Sequence, residues 1–164
     1  MRFDLEEGVD IAKELLAGLL ERIGVEKRVE GFSSEGDIFL EIQGDEEGIL
    51  IGKHGRTLDS LQILINRMVN KRLKRPVRVV LDIDDYRKRR VDTLTRMAVR
   101  LGEKAKRTGQ TVTVGPFNAH DRRIIHIALK EDPSLRTESL GEGETKKITI
   151  LSSRKEEKGI EPFE

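Results

Sequence analysis

Residues 50–62 read "LIGKHGRTLDSLQ", in which Gly52 and Gly55 bracket a lysine and a histidine. Apolar residues precede this turn and a helical pattern follows it. Glycine lets a backbone approach a ligand closely because it has no Cβ atom. The first amides of a helix lack partners within the helix and lie at the positive end of its dipole. The stretch therefore predicts a tight turn whose tip, with Lys53 and His54, holds phosphate groups.

The turn does not match the loops that bind nucleoside triphosphates. A P-loop has the pattern Gly-x4-Gly-Lys-Ser/Thr, whereas Glu47 stands five residues before Gly52 and His54 follows Lys53. No third glycine lies at the spacing of a dinucleotide fingerprint either. A phosphodiester backbone is the better ligand, and Arg56 adds a cation directly after the turn. This is the pattern of the Gly-x-x-Gly clamp of KH domains, which holds about four nucleotides of a single strand; the alternative is a plain tight turn.

Hydrophobic periodicity around the turn predicts the element order α-β-β-α-α-β. Gly24 suits the end of the first helix, and "SSEG" at residues 33–36 predicts a hairpin loop. The predicted helices are residues 5–23, 45–51 and 56–73, and the predicted strands are residues 26–32, 37–43 and 77–83.

A second unit is predicted from residue 84 onwards. Asp84 is expected to cap a long helix that stops at Gly109, and Asn118 to cap a shorter one with Asp121 completing a capping-box variant. The expected buried stripe of the long helix is Val91, Leu94, Ala98, Leu101 and Ala105. The other predicted elements are strands at 111–114, 135–140 and 146–151, a helix at 116–130, a "GEGE" turn at 141–144 and a charged, loose tail at 152–164.

Charge is distributed very unevenly along the chain. Residues 52–107 contain 17 Lys and Arg against 6 Asp and Glu, a net charge of +11, whereas the rest has 14 basic and 24 acidic residues, a net charge of −10. A concentrated basic block is typical of a polyanion partner; the alternative is a solvated helix face. Within the block, an electrostatic track is expected at Arg87, Lys88, Arg89 and Arg90.

A second candidate contact is formed by Arg122 and His126, which are four residues apart on a predicted helix and so share one face. That face lies away from the apolar residues of the helix, and Lys130 extends it. A guanidinium group can hold a phosphate with two parallel hydrogen bonds, and an imidazole can stack or hydrogen-bond. The alternative is an ordinary polar helix face, or a histidine bonded to a nearby carbonyl.

Composition excludes several other classes of protein. The chain has no cysteine and only three histidines, far apart in sequence, so neither a disulfide nor a zinc site is expected. Asp82, Asp84 and Asp85 suit a strand end and a helix start better than a metal site. No nucleophile is paired with a base, so we expect no catalysis and no cofactor. Without a long apolar run or a signal-peptide pattern, a soluble cytoplasmic protein is expected.

Three stretches together resemble the Jag family, also called KhpB, of bacterial RNA-binding proteins. They are "GILIGKHGRTLDSLQILINRMVN" at 48–70, "VRVVLDIDDYRKRRVDTLTRMAVRLGEKAKRTGQ" at 77–110 and "NAHDRRIIHIALKEDP" at 118–133. The family joins a KH domain to an R-3-H domain, named after an arginine, three residues and a histidine. In this chain that pair falls on Arg122 and His126, and the clamp falls on Gly52 to Gly55.

The resemblance implies an α+β protein with a type II KH domain at residues 1–83, an R-3-H domain at 84–151 and a flexible tail at 152–164. It implies single-stranded RNA binding, a role as RNA chaperone or post-transcriptional regulator, and a link to cell elongation and cell-wall homeostasis. It also implies a small single-KH partner protein, KhpA, and homo-oligomers are conceivable. Many relatives carry an N-terminal domain before the KH helix, and its functions are not carried over. The rival hypotheses are a protein-interaction adaptor and a single-stranded DNA binder.

Overall fold

A computed structural model describes residues 5–45 and 48–153 of the chain. The chain divides into two compact units, Met1–Arg87 and Lys88–Glu164. The helices are α1 (Leu5–Arg22), α2 (Arg56–Leu73), α3 (Tyr86–Thr108) and α4 (Ala119–Leu129). The strands are β1 (Arg28–Ser34), β2 (Asp37–Gln43), β3 (Val79–Ile83), β4 (Val112–Phe117), β5 (Leu135–Leu140) and β6 (Lys146–Ser152). The predicted α+β class is confirmed.

The first unit is a three-stranded sheet in the order β1-β2-β3, with α1 and α2 packed on one face. Strands β1 and β2 form an antiparallel hairpin, and β3 lies parallel to β2. Glu35 and Gly36 make the two-residue hairpin turn, and both have positive φ angles, 52° and 89°. Such turns match the right-handed twist of the flanking strands. The loop predicted at 33–36 is therefore confirmed, in a tighter form.

The outer edge of β3 is covered by polar side chains of α2. An edge strand presents unpaired amides, which need partners when they are shielded from water. Three α2 residues spaced four apart face alternate residues of β3 and of the segment just before it. The side-chain oxygens of Gln62, Asn66 and Asn70 accept hydrogen bonds from the amides of Leu81, Val79 and Val77, at 3.1, 2.9 and 2.7 Å respectively.

The short helix predicted at 45–51 is wrong for the described part of that segment. Residues 48–51 form turns instead. Gly48 has a φ angle of 68°, which is incompatible with a right-handed helix. The Asp45 carboxylate accepts hydrogen bonds from the amides of Leu50 and Ile51 at 3.1 and 2.9 Å. A side chain that captures the backbone in this way offers it an alternative to helical hydrogen bonds.

The expectation that Asp84 caps the long helix is also wrong. Asp84 has a φ angle of 47°, and its carboxylate accepts hydrogen bonds from the amides of Gly44 and Asp45 at 3.0 and 3.1 Å. Helix α3 begins two residues later, and Asp82 Oδ1 accepts from the Arg87 amide at 3.3 Å. Asp84 therefore ties β3 to the segment that leads into the glycine turn.

The second unit is an antiparallel sheet in the order β4-β6-β5, with a separate core beneath α3 and α4. Of the stripe predicted to be buried on α3, Leu94, Ala98 and Ala105 are buried, whereas Val91 is 40% exposed. Gly102 takes a buried position instead, and a Cβ atom there would lie 2.7 Å from Leu135 Cδ1. The missing side chain thus lets α3 lie close to β5.

The N-cap predicted for α4 is confirmed, whereas the start of that helix was placed too early. Asn118 Oδ1 accepts a hydrogen bond from the Asp121 amide at 2.8 Å. Pro116 and Phe117 belong to β4 and not to the helix. Of the tail predicted at 152–164, residues 154–164 lie outside the described residues.

The Asp121 carboxylate does not serve the predicted capping box. Asp121 is only 1% exposed, and Arg90 Nη2 lies 2.6 Å from its Oδ2 atom. A buried carboxylate is costly unless it is paired and hydrogen-bonded. This ion pair therefore joins the first turn of α4 to α3 within the second unit.

Arg90→Ala should destabilise the second unit by about 3 kcal/mol, because it leaves a buried carboxylate without its cation. Amide hydrogen exchange of α4 and β6 under native conditions measures this loss. Lys88→Ala is the control, because Lys88 is exposed and two residues away on the same helix. Equal protection in the two variants would show that the ion pair does not stabilise the unit.

Candidate nucleic-acid interface

The glycine turn has the backbone of a tight loop that ends where α2 begins. Gly52 has φ 69° and ψ −175°, His54 has φ 58° and ψ 27°, and Gly55 has φ 84°. The conformation of Gly52 is open almost exclusively to glycine. Three of the four residues 52–55 thus have positive φ angles, and they reverse the chain around the short 3-10 turn Lys53–Gly55. The side chains at its tip are thereby presented at the start of a helix.

Both glycines are also required by their neighbours. A Cβ atom on Gly52 would collide with the Thr57 hydroxyl and lie 3.1 Å from the Thr57 amide nitrogen. A Cβ atom on Gly55 would lie 2.8 Å from Cε1 of Tyr86, whose ring packs against the core. The Gly-x-x-Gly spacing is thus explained by close packing on both sides of the turn.

The amides at the start of α2 are not free, contrary to the sequence-based expectation. Gly55 donates to the Gly52 carbonyl at 3.3 Å, and Arg56 donates to the Lys53 carbonyl. The amides of Thr57 and Leu58 both donate to the Ile51 carbonyl, at 3.1 and 3.3 Å. The positive end of the helix dipole remains at the turn, but these four amides have partners within the protein.

The tip of the turn is cationic. Lys53 and Arg56 are exposed, and His54 is half-buried. Leu50 is fully buried in the core and Ile51 packs partly against it, so the lead-in anchors the tip. Two or three donors on a fixed turn at a helix N-terminus can hold the oxygens of one or two phosphate groups.

Asp45 and Asp84 position the turn, and sequence reasoning missed both roles. Asp45 is 7% exposed and bonds the amides of Leu50 and Ile51, while Asp84 bonds the amide of Asp45 itself. The Ile51 carbonyl then receives two amides of α2. The one signal in the sequence was an aspartate beside a glycine, Gly44-Asp45, which is typical of side-chain-to-backbone turns.

The Arg122–His126 pair lies on α4 in the second unit and is held by β5. Arg122 Nε donates to the hydroxyl of Ser139 at 3.1 Å, and its Nη1 donates to the Phe117 carbonyl at 2.9 Å. His126 Nδ1 lies 2.7 Å from the Thr137 hydroxyl. Residues 137 and 139 project from the same side of β5. The strand thus holds both side chains while His126 stays exposed, lining a cleft with Lys130 and Arg136.

Two residues of the predicted basic track, Arg87 and Arg90, are bound to acidic side chains. Arg87 is bound to Asp59 at 3.1 Å and to Gln62 at 3.2 Å, and Arg90 is bound to Asp121. Lys88 and Arg89 are exposed. Two of the four cations therefore stabilise the fold, which the sequence did not reveal because their partners are distant along the chain.

Two further properties concern the described residues only. Within residues 5–45 and 48–153, no group of three or more His, Cys, Asp or Glu side chains is arranged to hold a metal ion. In the same ranges, no helix is both long and apolar enough to cross a membrane.

Two family models match the chain. The model described as "KhpA/KhpB, KH domain" matches residues 10–83, and the R-3-H domain model matches residues 92–152. The first match contains the glycine turn and the second contains Arg122 and His126. The fold and the two candidate sites thus define a protein in which a KH domain of the KhpA/KhpB type is followed by an R-3-H domain.

Curated relatives give the family. The chain is 42% identical over 132 residues to the RNA-binding protein KhpB of Clostridium symbiosum, an alignment that covers 80% of this chain and 60% of that protein. It is 30% identical over 145 residues to the RNA-binding protein KhpB of Bacillus subtilis (strain 168), covering 87% of this chain and 70% of the relative. The chain belongs to the KhpB family, which confirms the resemblance inferred from the sequence. It spans less than two thirds of the length of the Clostridium protein.

Gly52→Ala should lower the free energy of unfolding of the first unit by about 2 kcal/mol, because it adds a strained backbone to a steric clash. Gly24→Ala is the matched control, since Gly24 has φ 76° with no atom within 4 Å of an added Cβ, and it should cost about 1 kcal/mol. Urea unfolding followed by the fluorescence of Tyr86, the one tyrosine of the chain, reports on this unit. A Gly52 variant as stable as the Gly24 variant would refute the packing argument.

Proposed function

We propose that this protein binds single-stranded RNA and catalyses no reaction. The observation that carries the proposal is the cationic tip formed by Lys53, His54 and Arg56 on a rigid glycine turn at the positive end of α2. Such a tip suits a phosphodiester backbone, because basic side chains donate hydrogen bonds to phosphate oxygens and the Gly-x-x-Gly turn of KH domains holds a single strand. The name of the relatives, RNA-binding protein KhpB, supports RNA as the natural ligand.

The way the turn holds phosphate follows from its hydrogen bonds. The four amides at positions 55–58 already have partners, so the side chains of Lys53, His54 and Arg56 supply the donors. The helix dipole adds a favourable field without donating a hydrogen bond. Affinity for RNA should therefore depend on these side chains more strongly than in a clamp whose amides contact the phosphates.

The second unit contributes a further contact in this proposal. Arg122 has two of its N–H groups bound to Ser139 and Phe117, and a guanidinium group has five in all. The remaining donors can reach a phosphate while the bonds to β5 keep the group in place. His126, exposed and held at Nδ1 by Thr137, offers a ring on which a base can stack. Lys88 and Arg89 add exposed positive charge.

The finer biological role belongs to the same proposal. We assign the KH function to residues 1–83 and the R-3-H function to residues 84–151, with RNA held by both. The resemblance to the family supports a role as RNA chaperone or post-transcriptional regulator, which we place in the cytoplasm. A small single-KH protein of the KhpA type is the proposed partner, and cell elongation and cell-wall homeostasis are the proposed processes.

The double variant Lys53→Asp with His54→Asp should weaken binding of an unstructured 20-nucleotide RNA by about tenfold or more, because carboxylates replace the donors. Lys53 is exposed and His54 is half-buried, so the stability should change by about 1 kcal/mol or less. The matched control is Arg67→Glu with Lys71→Glu, a similar loss of charge at exposed positions of α2. Filter-binding titrations measure both. If the turn variant and the helix variant lose equal affinity, the turn is not a specific clamp.

Arg122→Ala should weaken binding of the 20-nucleotide RNA and reduce the slope of log affinity against log salt by about 0.7, the value for one phosphate contact on a single strand. His126→Ala should weaken binding with little change in that slope. A four-nucleotide RNA is long enough only for the KH clamp, so both variants should bind it with the same affinity as the unmodified protein. Equal losses on both lengths would mean that the pair supports folding and makes no second contact. Single-stranded DNA of matched sequence, tested in parallel, separates RNA binding from general single-strand binding.

A further inference from the structure

The sheet of the first unit has a second face, opposite the helices. Ile38, Leu40 and Ile42 of β2 are buried in the core with α1 and α2. Residues between them project to the other side, because successive side chains of a strand alternate. We call this side, with the matching residues of β1 and β3, the open face. It is distinct from the glycine turn and from the Arg122–His126 pair.

One row across the open face is entirely apolar. Strand register places Phe32 beside Phe39, and Phe39 beside Val80. The two phenylalanine rings are stacked, with centroids 5.0 Å apart and an interplanar angle of 8°. Phe32 is nevertheless 59% exposed. Phe39 on the central strand is half-buried, and a stacked aromatic pair with one ring this exposed is typical of an interaction surface.

The next row across the open face is entirely acidic. The same register places Glu30 beside Glu41, and Glu41 beside Asp82. The pKa of Glu41 is raised overall, chiefly because its carboxyl group is partly buried. The hydrogen bond from the Asp85 amide lowers this pKa, and repulsion by the neighbouring aspartates raises it. Arg28 offsets part of this charge through its ion pair with Glu30 at 2.8 Å.

The pairing of these rows determines what can bind. Asp84 and Asp85 follow directly after β3, so the acidic end of the face carries more negative charge than Arg28 neutralises. A phosphodiester strand stacked on Phe32 would place its phosphates against these carboxylates, and like charges in contact repel. A basic side chain has the opposite effect, and its apolar stem can also cover an aromatic ring.

We propose that the open face docks a protein segment that presents an aliphatic or aromatic side chain flanked by lysines or arginines. The apolar side chain covers Phe32 and Phe39, and the flanking cations meet Glu30 and Glu41. This inference goes beyond RNA binding, because it gives the KH unit a separate surface for a protein. Charge complementarity makes the segment basic, and the apolar row makes it amphipathic.

The test uses the full chain, isotope-labelled for NMR, and three ten-residue synthetic peptides. The first peptide has four basic residues around a Phe-Leu pair, the second has glutamates in place of the basic residues, and the third has serines in place of Phe-Leu. The first should shift the amide signals of β1 and β2 on the open face, and its affinity should fall as salt rises. The second and third should cause no such shifts.

Two sets of variants locate the contact. Phe32→Ser with Phe39→Ser should weaken binding of the first peptide by about tenfold, as for a central aromatic contact. Glu30→Lys with Glu41→Lys should weaken the first peptide and permit binding of the second. The control is Ile63→Ser, because Ile63 is 58% exposed on α2, and it should change nothing. If the protein with both phenylalanines replaced does not fold, the variant with Glu30→Lys and Glu41→Lys still tests the proposal.

Three outcomes would overturn the proposal. The first is the absence of shifts with the basic peptide at millimolar concentration. The second is a loss of RNA affinity in Phe32→Ser with Phe39→Ser, which would make the face a platform for bases. The third is concentration-dependent self-association in sedimentation that Phe32→Ser abolishes, which would assign the face to a second copy of the chain. Unchanged RNA binding with lost peptide binding supports the proposal, and it does so whether or not the glycine turn is the clamp.

Discussion

The placement of the glycine turn depends on the buried carboxylate of Asp45. It accepts hydrogen bonds from the amides of Leu50 and Ile51, and Ile51 in turn accepts two amides of α2 through its carbonyl. Asp84, at the end of β3, holds the backbone of Asp45 from the other side. Removing the Asp45 carboxylate would leave shielded amides without partners, a cost of about 1–3 kcal/mol for each. The turn that we propose as the phosphate clamp is thus fixed by two carboxylates that accept hydrogen bonds from backbone amides.

The same principle governs the docking of α2 on the sheet. Its apolar stripe, Leu58, Leu61 and Ile65, packs in the core, but apolar contacts alone leave a helix free to slide along a strand. Gln62 and Asn66 remove that freedom because each bonds one particular amide of β3. The helix start, and the turn attached to it, are therefore placed by directional bonds to an edge strand.

Predictions succeeded where the structure is determined by the local sequence pattern, and they were wrong where contacts between residues distant along the chain determine it. Helix α2 occupies the predicted residues, because its periodicity is contained in its own sequence. The helix predicted at 45–51 and the N-cap predicted at Asp84 were wrong. In both cases an aspartate carboxylate accepts hydrogen bonds from backbone amides, and this contact overrides the local helix propensity. The site shows the same division. Lys53 and His54 were predicted from a motif and stay a prediction, whereas the pairing of Arg90 with Asp121, 31 residues away, leaves no local pattern in the sequence. The full +11 of the basic block therefore overstates the charge that is free to meet a phosphate.

The net charge of +1 describes neither face of the first unit. At physiological ionic strength a charge acts over about 8 Å, so a ligand responds to the groups near it and not to the sum. A polyanion is drawn to Lys53 and Arg56 and repelled by the carboxylates of Glu30 and Glu41. In the proposed function, the acidic row helps to orient RNA on this unit, because it makes the open face unfavourable for a polyanion and leaves the glycine turn as the favourable one. Segregated charge can in this way give one small domain two partners of opposite sign.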